Sequence, residues 1–149
     1  MEELCRDFFR SMNQFTRLKI KSFFADLSKS EYCMLIAIEN ANQKKGGITI
    51  SEIADHLQVL TPAVSRSLRS LEEKELVERM IRKDDRRNTY VVLTEKGTQV
   101  LQRAKDNVND FMESVIRQMD EKEIRQLIDS LNHVYQISEA EIEKRKEKN

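Results

Sequence analysis

The fold of this chain is decided by residues 48–94, which read ITISEIADHLQVLTPAVSRSLRSLEEKELVERMIRKDDRRNTYVVLT. The first two segments carry apolar residues at helical spacing. The last segment holds two short runs rich in β-forming residues, separated by the charged loop KDDRRN at 83–88. This order predicts two short helices followed by a β-hairpin with a charged tip.

The first of these helices has a compact apolar stripe made of Ile53, Ala54 and Leu57. Thr49 followed by Glu52 matches the T-x-x-E capping box that starts many helices. About three residues then separate this helix from the next, which is the usual spacing in a helix-turn-helix. An ordinary helical hairpin would give the same local pattern.

The second helix is expected to begin with Thr61 as its cap and Pro62 at its first helical position, where no backbone N–H is required. Val64, Leu68 and Leu71 fall at i, i+4 and i+7, so they can face a core. The positions left for another surface combine small residues with arginines, which suits insertion into a DNA major groove. The candidate groove-facing residues are Thr61, Pro62, Ala63, Ser65, Arg66 and Arg69.

The hairpin concentrates positive charge. Five basic and two acidic residues lie between Arg79 and Arg87, a net charge of +3, whereas the whole chain is neutral at +0. A solvated turn could be charged merely because it is exposed. This charge, however, lies beside the predicted helix at 61–74, which we call the reading helix, and it therefore favours DNA binding. A helix-turn-helix followed directly by a hairpin is the winged-helix arrangement. The candidate DNA-binding residues of the wing are Arg82, Lys83, Asp85, Arg86 and Arg87.

The wing also carries a specific motif, Asp85-x-Arg87-x-x-x-Val91-x-Leu93-Thr94-x-x-Gly97. It resembles the wing of MarR-type regulators, the multiple-antibiotic-resistance regulator family, and the chain's length and helix order fit along its whole extent. The resemblance implies that Arg87 enters the minor groove, that Asp85 pairs with it and holds it, and that the helix at 61–74 lies in the major groove. Gln58 departs from the family, which often has glycine there, and would cost about 1 kcal/mol if that position needs a positive φ.

The predicted fold is therefore mainly α with a small β-hairpin wing: a winged helix-turn-helix flanked by N- and C-terminal dimerisation helices. One MarR-type domain would span 1–149, with the DNA-binding lobe at 48–94 and dimerisation helices at 1–25 and 98–145. The first helix is expected over Glu2 to Phe24, and the second from Ser28 or Ser30 to about Asn42. The resemblance implies that the terminal helices of two protomers interlock, although a bundle within one chain stays open. The candidate interface residues are Phe8, Phe15, Leu127 and Leu131.

No catalytic constellation is visible, so the chain is not expected to be an enzyme or to hold a cofactor. His56 and His133 lie in different predicted helices, and no metal-binding spacing such as CxxC or HExxH occurs. No run of about 18 apolar residues predicts a membrane helix. The N-terminus lacks the basic and apolar regions of a signal peptide, so the protein is expected to be cytoplasmic.

The resemblance further implies a small aromatic effector, bound where the dimerisation helices meet the winged-helix lobe. Ordinary core packing would explain each candidate pocket residue equally well; they are Met12, Phe15, Phe23, Tyr32, Leu35 and Met112. Some family members sense peroxide through a cysteine near the start of the first helix, where Cys5 lies. Those sensors hold the thiolate with tyrosines, which this helix lacks, while Cys33 lies beside Tyr32.

These patterns and the resemblance together favour a sequence-specific regulator of transcription that binds double-stranded DNA as a homodimer on a pseudo-palindromic operator. The resemblance implies a repressor rather than an activator. Two alternatives remain open. One is a winged-helix module that docks another protein, against which the basic wing argues. The other is a regulator that senses redox state through Cys5 or Cys33.

Overall fold

The computed structural model describes residues 1–18, 23–24 and 26–147. Its elements are, in chain order, α1 (Glu2–Thr16), α2 (Lys29–Lys45), β1 (Ile48–Thr49), α3 (Ile50–Leu57), α4 (Thr61–Glu73), β2 (Val77–Ile81), β3 (Thr89–Leu93), α5 (Glu95–Ile116) and α6 (Glu121–Lys146). The chain separates into two compact units, Met1–Val108 and Asn109–Asn149. The prediction of a mainly helical fold with a small β-hairpin wing is confirmed.

A three-stranded antiparallel sheet in the order β1–β3–β2 forms the wing and its base. In its register Val91 of β3 lies between Ile48 of β1 and Arg79 of β2. The two-residue strand β1 thus lies beside the hairpin of the wing. Because β3 is the central strand, it is paired on both sides, with β1 and with β2.

The core of the first unit lies where α2, α3, α4, α5 and the sheet meet. Its largest fully buried side chains are Leu35, Ile38, Ile53, Val64, Leu68, Leu71, Val91 and Leu101. The predicted inward face of the reading helix is confirmed, because Val64, Leu68 and Leu71 are all completely covered. Burial of these apolar side chains fixes which face α4 presents outward.

Gly97, in the first turn of α5, permits a close approach between this turn and the backbone of Leu76. A Cβ at this position would lie 1.9 Å from the backbone oxygen of Leu76. The Gly97 N–H donates a hydrogen bond to Thr94 Oγ1 at 2.9 Å, at the start of α5. The Thr94 side chain therefore caps the start of α5.

Two expected boundaries are wrong. The first helix was expected to reach Phe24 but ends at Thr16, whose hydroxyl bonds back to the Asn13 carbonyl. Residues 19–22 of that expected helix lie outside the described residues. Thr61 does not cap α4, because it is already helical and the Leu60 carbonyl accepts the first helical hydrogen bonds.

Helices α1 and α6 contain no buried residue. Large apolar side chains nonetheless recur along both: Phe8 and Phe15 of α1 are 44% and 70% exposed, and Leu127 and Leu131 of α6 are 46% and 50% exposed. Helical periodicity places such residues on one face of each helix. Each helix therefore carries an apolar face that the single chain leaves uncovered.

Candidate nucleic-acid interface

The outward face of α4 carries the residues predicted to meet DNA. Thr61, Pro62, Ala63, Arg66 and Arg69 are exposed, and Ser65 is half-buried. Small side chains occupy the first turn, and the two arginines follow at 66 and 69. A helix with this front can approach a groove closely and still place guanidinium groups beside bases or phosphates.

The preceding helix α3 holds α4 through a tight turn. Thr49 and Glu52 form the predicted capping box: Glu52 N–H donates to Thr49 Oγ1 at 3.3 Å, and Thr49 N–H donates to Glu52 Oε2 at 2.8 Å. At the other end Gln58 has φ +52° and ψ +43°, in the left-handed region. The condition under which Gln58 was expected to cost about 1 kcal/mol is therefore met.

A buried carboxylate fixes the C-terminal end of α4. Glu31 of α2 is 6% exposed and accepts hydrogen bonds from Lys74 Nζ at 2.7 Å, Ser70 Oγ at 3.0 Å and Ser28 N at 2.7 Å. Burial alone would raise the pKa of Glu31, but these donors outweigh it and lower the pKa from 4.5 to about 2. The carboxylate is thus ionised at neutral pH and ties α2 to the reading helix.

The base of the wing is tied to the same helix. Arg79 of β2 donates from Nε to Glu72 Oε1 at 2.6 Å and from Nη2 to Glu72 Oε2 at 3.2 Å. This bidentate pair links the first wing strand to the last turn of α4. It also raises the pKa of Arg79, chiefly through the hydrogen bond to Glu72.

Arg82 is held within the protein. Its guanidinium donates to both oxygens of Asp84, at 3.0 and 2.6 Å, and from Nη1 to the Lys45 carbonyl at 2.9 Å. The same group lies 5.0 Å from the centre of the Tyr90 ring. These contacts occupy the two edges of the guanidinium and one of its faces.

Asp85 organises the wing tip through three donors. It accepts from the backbone N–H of Arg87 at 3.1 Å, from Asn88 Nδ2 at 2.9 Å and from Tyr90 Oη at 2.8 Å. The side-chain bonds from Asn88 and Tyr90 hold the pKa of Asp85 below its usual value. Among the described residues no ion pair joins Asp85 to the Arg87 guanidinium, so Asp85 holds the backbone at Arg87 and leaves its side chain free.

The cations of residues 61–94 thus divide into two groups. Lys74, Arg79 and Arg82 pair with Glu31, Glu72 and Asp84. The second group makes no ion pair within the described part of the chain and is exposed; we call it the free cations, Arg66, Arg69, Lys83, Arg86 and Arg87. All five are among the residues predicted to bind DNA.

Sequence reasoning missed the residues that fix α4 and the wing in place. Glu31, Glu72 and Tyr90 were not singled out, although Ser28 and Glu31 show the S-x-x-E spacing of a capping box, which the structure contains. That spacing would have favoured Ser28 over Ser30 as the start of α2. It would not have indicated the bond from Glu31 to Lys74, 43 positions away.

The predicted pocket residues occupy different settings. Leu35 is fully buried in the core, and Tyr32 stacks with Phe24 at 4.8 Å between ring centres. Phe23 is half-buried, Met12 and Phe15 lie on the exposed face of α1, and Met112 belongs to the second unit. A cleft of about 330 Å³ in the first unit is lined by other residues: Asp26, Leu27, Lys74, Leu76, Lys96, Val100 and Arg103.

The structure also bears on the cysteines, on metal binding and on membrane helices. Cys5 is exposed and Cys33 is half-buried, and both are free thiols. Within residues 1–18, 23–24 and 26–147, no group of three or more His, Cys, Asp or Glu side chains is placed to hold a metal ion. Over the same residues, no helix is both long and apolar enough to cross a membrane.

Comparison with known proteins agrees with this geometry. The model of the MarR family matches residues 28–89. The HTH-type transcriptional regulator SarZ of Staphylococcus haemolyticus is 30% identical over 109 residues, covering 73% of this chain and 70% of that protein. Riboflavin kinase of Archaeoglobus fulgidus is 35% identical over 71 residues, but these cover 48% of this chain and only 29% of the kinase.

Solved structures of MepR from S. aureus resemble the whole fold. A point variant superposes with a TM-score of 0.70 at 26% identity, covering 91% of this chain and 96% of the other. A second variant, bound to an oligodeoxyribonucleotide, superposes with a TM-score of 0.58 at 25% identity and covers 91% and 95%. The similarity therefore extends through the helices on both sides of the winged lobe.

Proposed function

The chain belongs to the MarR family of transcriptional regulators, and we propose that it acts as a homodimeric, ligand-responsive repressor that binds a pseudo-palindromic operator. The observation that carries the proposal is the division of cations in residues 61–94. Three form ion pairs with carboxylates of the same chain, whereas the free cations Arg66, Arg69, Lys83, Arg86 and Arg87 lie exposed on α4 and the wing. Free cations beside a small-residue helix front suit phosphate contacts and base reading in adjacent grooves.

Sequence specificity would come from α4 and orientation from the wing. The front of α4 would read base edges, with Arg66 and Arg69 as the groups able to bind guanine. Arg87 would enter the neighbouring minor groove, whose negative potential attracts a guanidinium. MepR, bound to an oligodeoxyribonucleotide, supports DNA as the partner of this fold.

A homodimer would explain the uncovered faces of α1 and α6. Monomeric proteins rarely leave contiguous apolar patches of this kind in water. A second copy of the same chain offers the same two faces, and a twofold arrangement would present two reading helices to two half-sites. Phe8, Phe15, Leu127 and Leu131 would then lie at the interface or directly behind it.

Sedimentation velocity at micromolar concentration tests this assembly. The wild-type chain is expected as a dimer, and Leu131→Asp should shift it toward monomer. Lys144→Asp, in the charged last turn of α6, is the control and should leave the dimer intact. A monomeric wild-type chain that still binds a palindrome tightly would contradict the proposal.

The effector would be a small aromatic carboxylate that favours a dimer geometry in which the reading helices no longer match the half-sites. The predicted pocket residues Met12, Phe15, Phe23, Tyr32, Leu35 and Met112 remain candidates. The cleft beside α5 adds a second location, because it combines apolar walls at Leu76 and Val100 with the Arg103 guanidinium. Benzoate derivatives are the probes, and binding must be reciprocal: operator DNA should weaken the effector as much as the effector weakens operator DNA.

Duplexes selected on the immobilised protein, followed by fluorescence anisotropy, test the DNA proposal. If the free cations of two protomers supply about six to ten phosphate contacts, log K should fall with log salt at a slope of roughly −5 to −9. Random duplexes of equal length should bind more weakly at every salt concentration. A winged-helix module that docks protein instead would select no duplex, and its binding to DNA would show no such slope.

A further inference from the structure

Arg82 differs from its wing neighbours in being surrounded by the protein. Its side chain is 29% exposed, compared with 66% for its partner Asp84. Asp84 takes two of its donors, the Lys45 carbonyl at the C-terminal end of α2 takes a third, and the Tyr90 ring covers one face. The helix dipole makes that carbonyl end attractive to a cation.

Tyr90 connects this site to the wing tip. Its ring lies under Arg82, and its hydroxyl donates to Asp85 at 2.8 Å. Asp85 in turn accepts the backbone N–H of Arg87. A continuous series of contacts therefore runs from the end of α2 to the backbone that carries the predicted minor-groove arginine.

The same series reaches the helix-turn-helix. The Lys45 ammonium forms an ion pair with Glu52, and Glu52 caps α3 through Thr49. The Lys45 carbonyl and ammonium thus bind Arg82 of the wing and Glu52 of α3. Lys45 therefore connects the wing tip to α3, the first helix of the helix-turn-helix.

The pair between Arg82 and Asp84 would contribute little by itself, because exposed ion pairs are typically worth less than about 1 kcal/mol. Ordering a mobile hairpin on DNA, however, costs conformational entropy at every immobilised side chain. A wing already fixed in the free protein avoids that cost. The contacts of Arg82 and Tyr90 matter through this preorganisation more than through folding stability.

We infer that Arg82 and Tyr90 are positioning residues, which fix the wing against the C-terminal end of α2 and so preset the presentation of Arg87, and that Arg82 makes no DNA contact of its own. This inference rests on the proposed binding of DNA. It assigns to Arg82 a role different from that of Lys83, Arg86 and Arg87. It also gives Tyr90, an uncharged residue, an effect on DNA affinity.

Three single variants separate positioning from direct contact. Arg82→Lys keeps the charge but cannot reproduce the bidentate pair and the stacked face together. Tyr90→Phe keeps the ring and changes no charge, while removing the bond to Asp85. Lys83→Gln removes an exposed, unpaired charge next to Arg82 and serves as the matched control.

The expected results differ for each variant on one selected operator. Arg82→Lys and Tyr90→Phe should weaken operator binding about threefold to tenfold, as expected for the loss of a hydrogen bond, and leave the salt slope unchanged. Lys83→Gln should flatten the salt slope by roughly one phosphate contact per protomer. In an Arg87→Gln background, Arg82→Lys and Tyr90→Phe should have no further effect, because the arginine that they position is gone.

A measurement on the free protein keeps this test distinct from the test of DNA binding. NMR order parameters of backbone amides at 84–88 should fall in Arg82→Lys and Tyr90→Phe, with thermal unfolding nearly unchanged. Unchanged order parameters would overturn the inference, even if the protein binds no DNA and the proposed function fails. Two results on DNA would identify Arg82 as a phosphate contact and would also overturn the inference. One is wild-type operator affinity in Arg82→Lys. The other is a loss of affinity from Arg82→Lys that remains undiminished in the Arg87→Gln background.

Discussion

Replacing Glu31 with glutamine removes the charge that joins α2 to the C-terminal end of α4 and changes the size of the side chain very little. The carboxylate is 6% exposed and is bound by Lys74, Ser70 and Ser28. The amide oxygen of glutamine can still accept one of these donors. Its NH2 group, however, faces donors rather than acceptors if the side chain keeps its place, so Glu31→Gln should destabilise the fold.

The magnitude follows from the pKa. The pKa of Glu31 lies at about 2 in the folded chain, against 4.5 for the ordinary group. At 1.36 kcal/mol for each pKa unit, the folded environment favours the carboxylate over its protonated form by about 3 kcal/mol. Lys74 is 42% exposed, so solvent screens part of its contribution. We therefore expect Glu31→Gln to lower the free energy of unfolding by about 2 kcal/mol at pH 7.

The same pKa fixes the pH dependence. Because the folded pKa lies below the unfolded one, the carboxylate contributes fully above pH 4.5 and loses its contribution as the pH falls through 4.5 toward about 2. A protonated Glu31 and a glutamine are both neutral. The difference between wild type and Glu31→Gln should therefore shrink steadily over this acid range.

Urea unfolding followed by circular dichroism at pH 7, 5, 4 and 3, at one fixed protein concentration, measures the difference. Glu121→Gln is the control, because within residues 1–18, 23–24 and 26–147 Glu121 pairs only with Arg125, and its side chain is 78% exposed. It should change stability by no more than about 0.5 kcal/mol. A Glu31→Gln effect equal to that of Glu121→Gln, or one that stays constant down to pH 3, would refute the reasoning.

Three further substitutions have defined outcomes. Gly97→Ala places a Cβ 1.9 Å from the Leu76 backbone oxygen and should lower the free energy of unfolding by about 3 kcal/mol. Its control, Gly46→Ala, at φ +72° in open space, should lower it by only about 1 kcal/mol. Equal losses of stability in thermal unfolding would exclude the clash as the cause. Gln58→Gly relieves a left-handed residue and should stabilise by up to about 1 kcal/mol, which a lowered unfolding midpoint would contradict. Arg66→Ala should cost about 1–3 kcal/mol of operator binding and relax preference at one position per half-site, and an equal loss on random DNA would reduce Arg66 to a phosphate contact.

Local patterns predicted the winged lobe well because its elements are specified by near neighbours. The spacing of Val64, Leu68 and Leu71 identifies the buried face of α4, and all three are fully covered. The capping box at Thr49 needs only a residue three positions away, Glu52, and the structure contains it. Information of this kind is readable in a single sequence because helix ends and faces repeat on a fixed period.

The end of the first helix and the long-range contacts were harder to predict from the sequence. The apolar pattern of the first helix continues past Thr16 with no glycine or proline, so nothing local indicates that α1 ends there. The free and the paired arginines of the wing look alike in sequence. Only the fold brings Lys45 and Glu72 to Arg82 and Arg79, across 37 and 7 positions.

The chain's net charge of +0 is no obstacle to binding a polyanion, since charges act on DNA over short distances. At physiological salt the Debye length is about 8 Å, so exposed charges farther than that from a phosphate contribute little. What matters is which cations near the duplex remain unneutralised. Within residues 61–94 the fold pairs Lys74, Arg79 and Arg82 internally, which leaves the free cations as the charge that a phosphate would meet. Ion pairing inside the fold therefore sets the local charge of the candidate interface more directly than composition does.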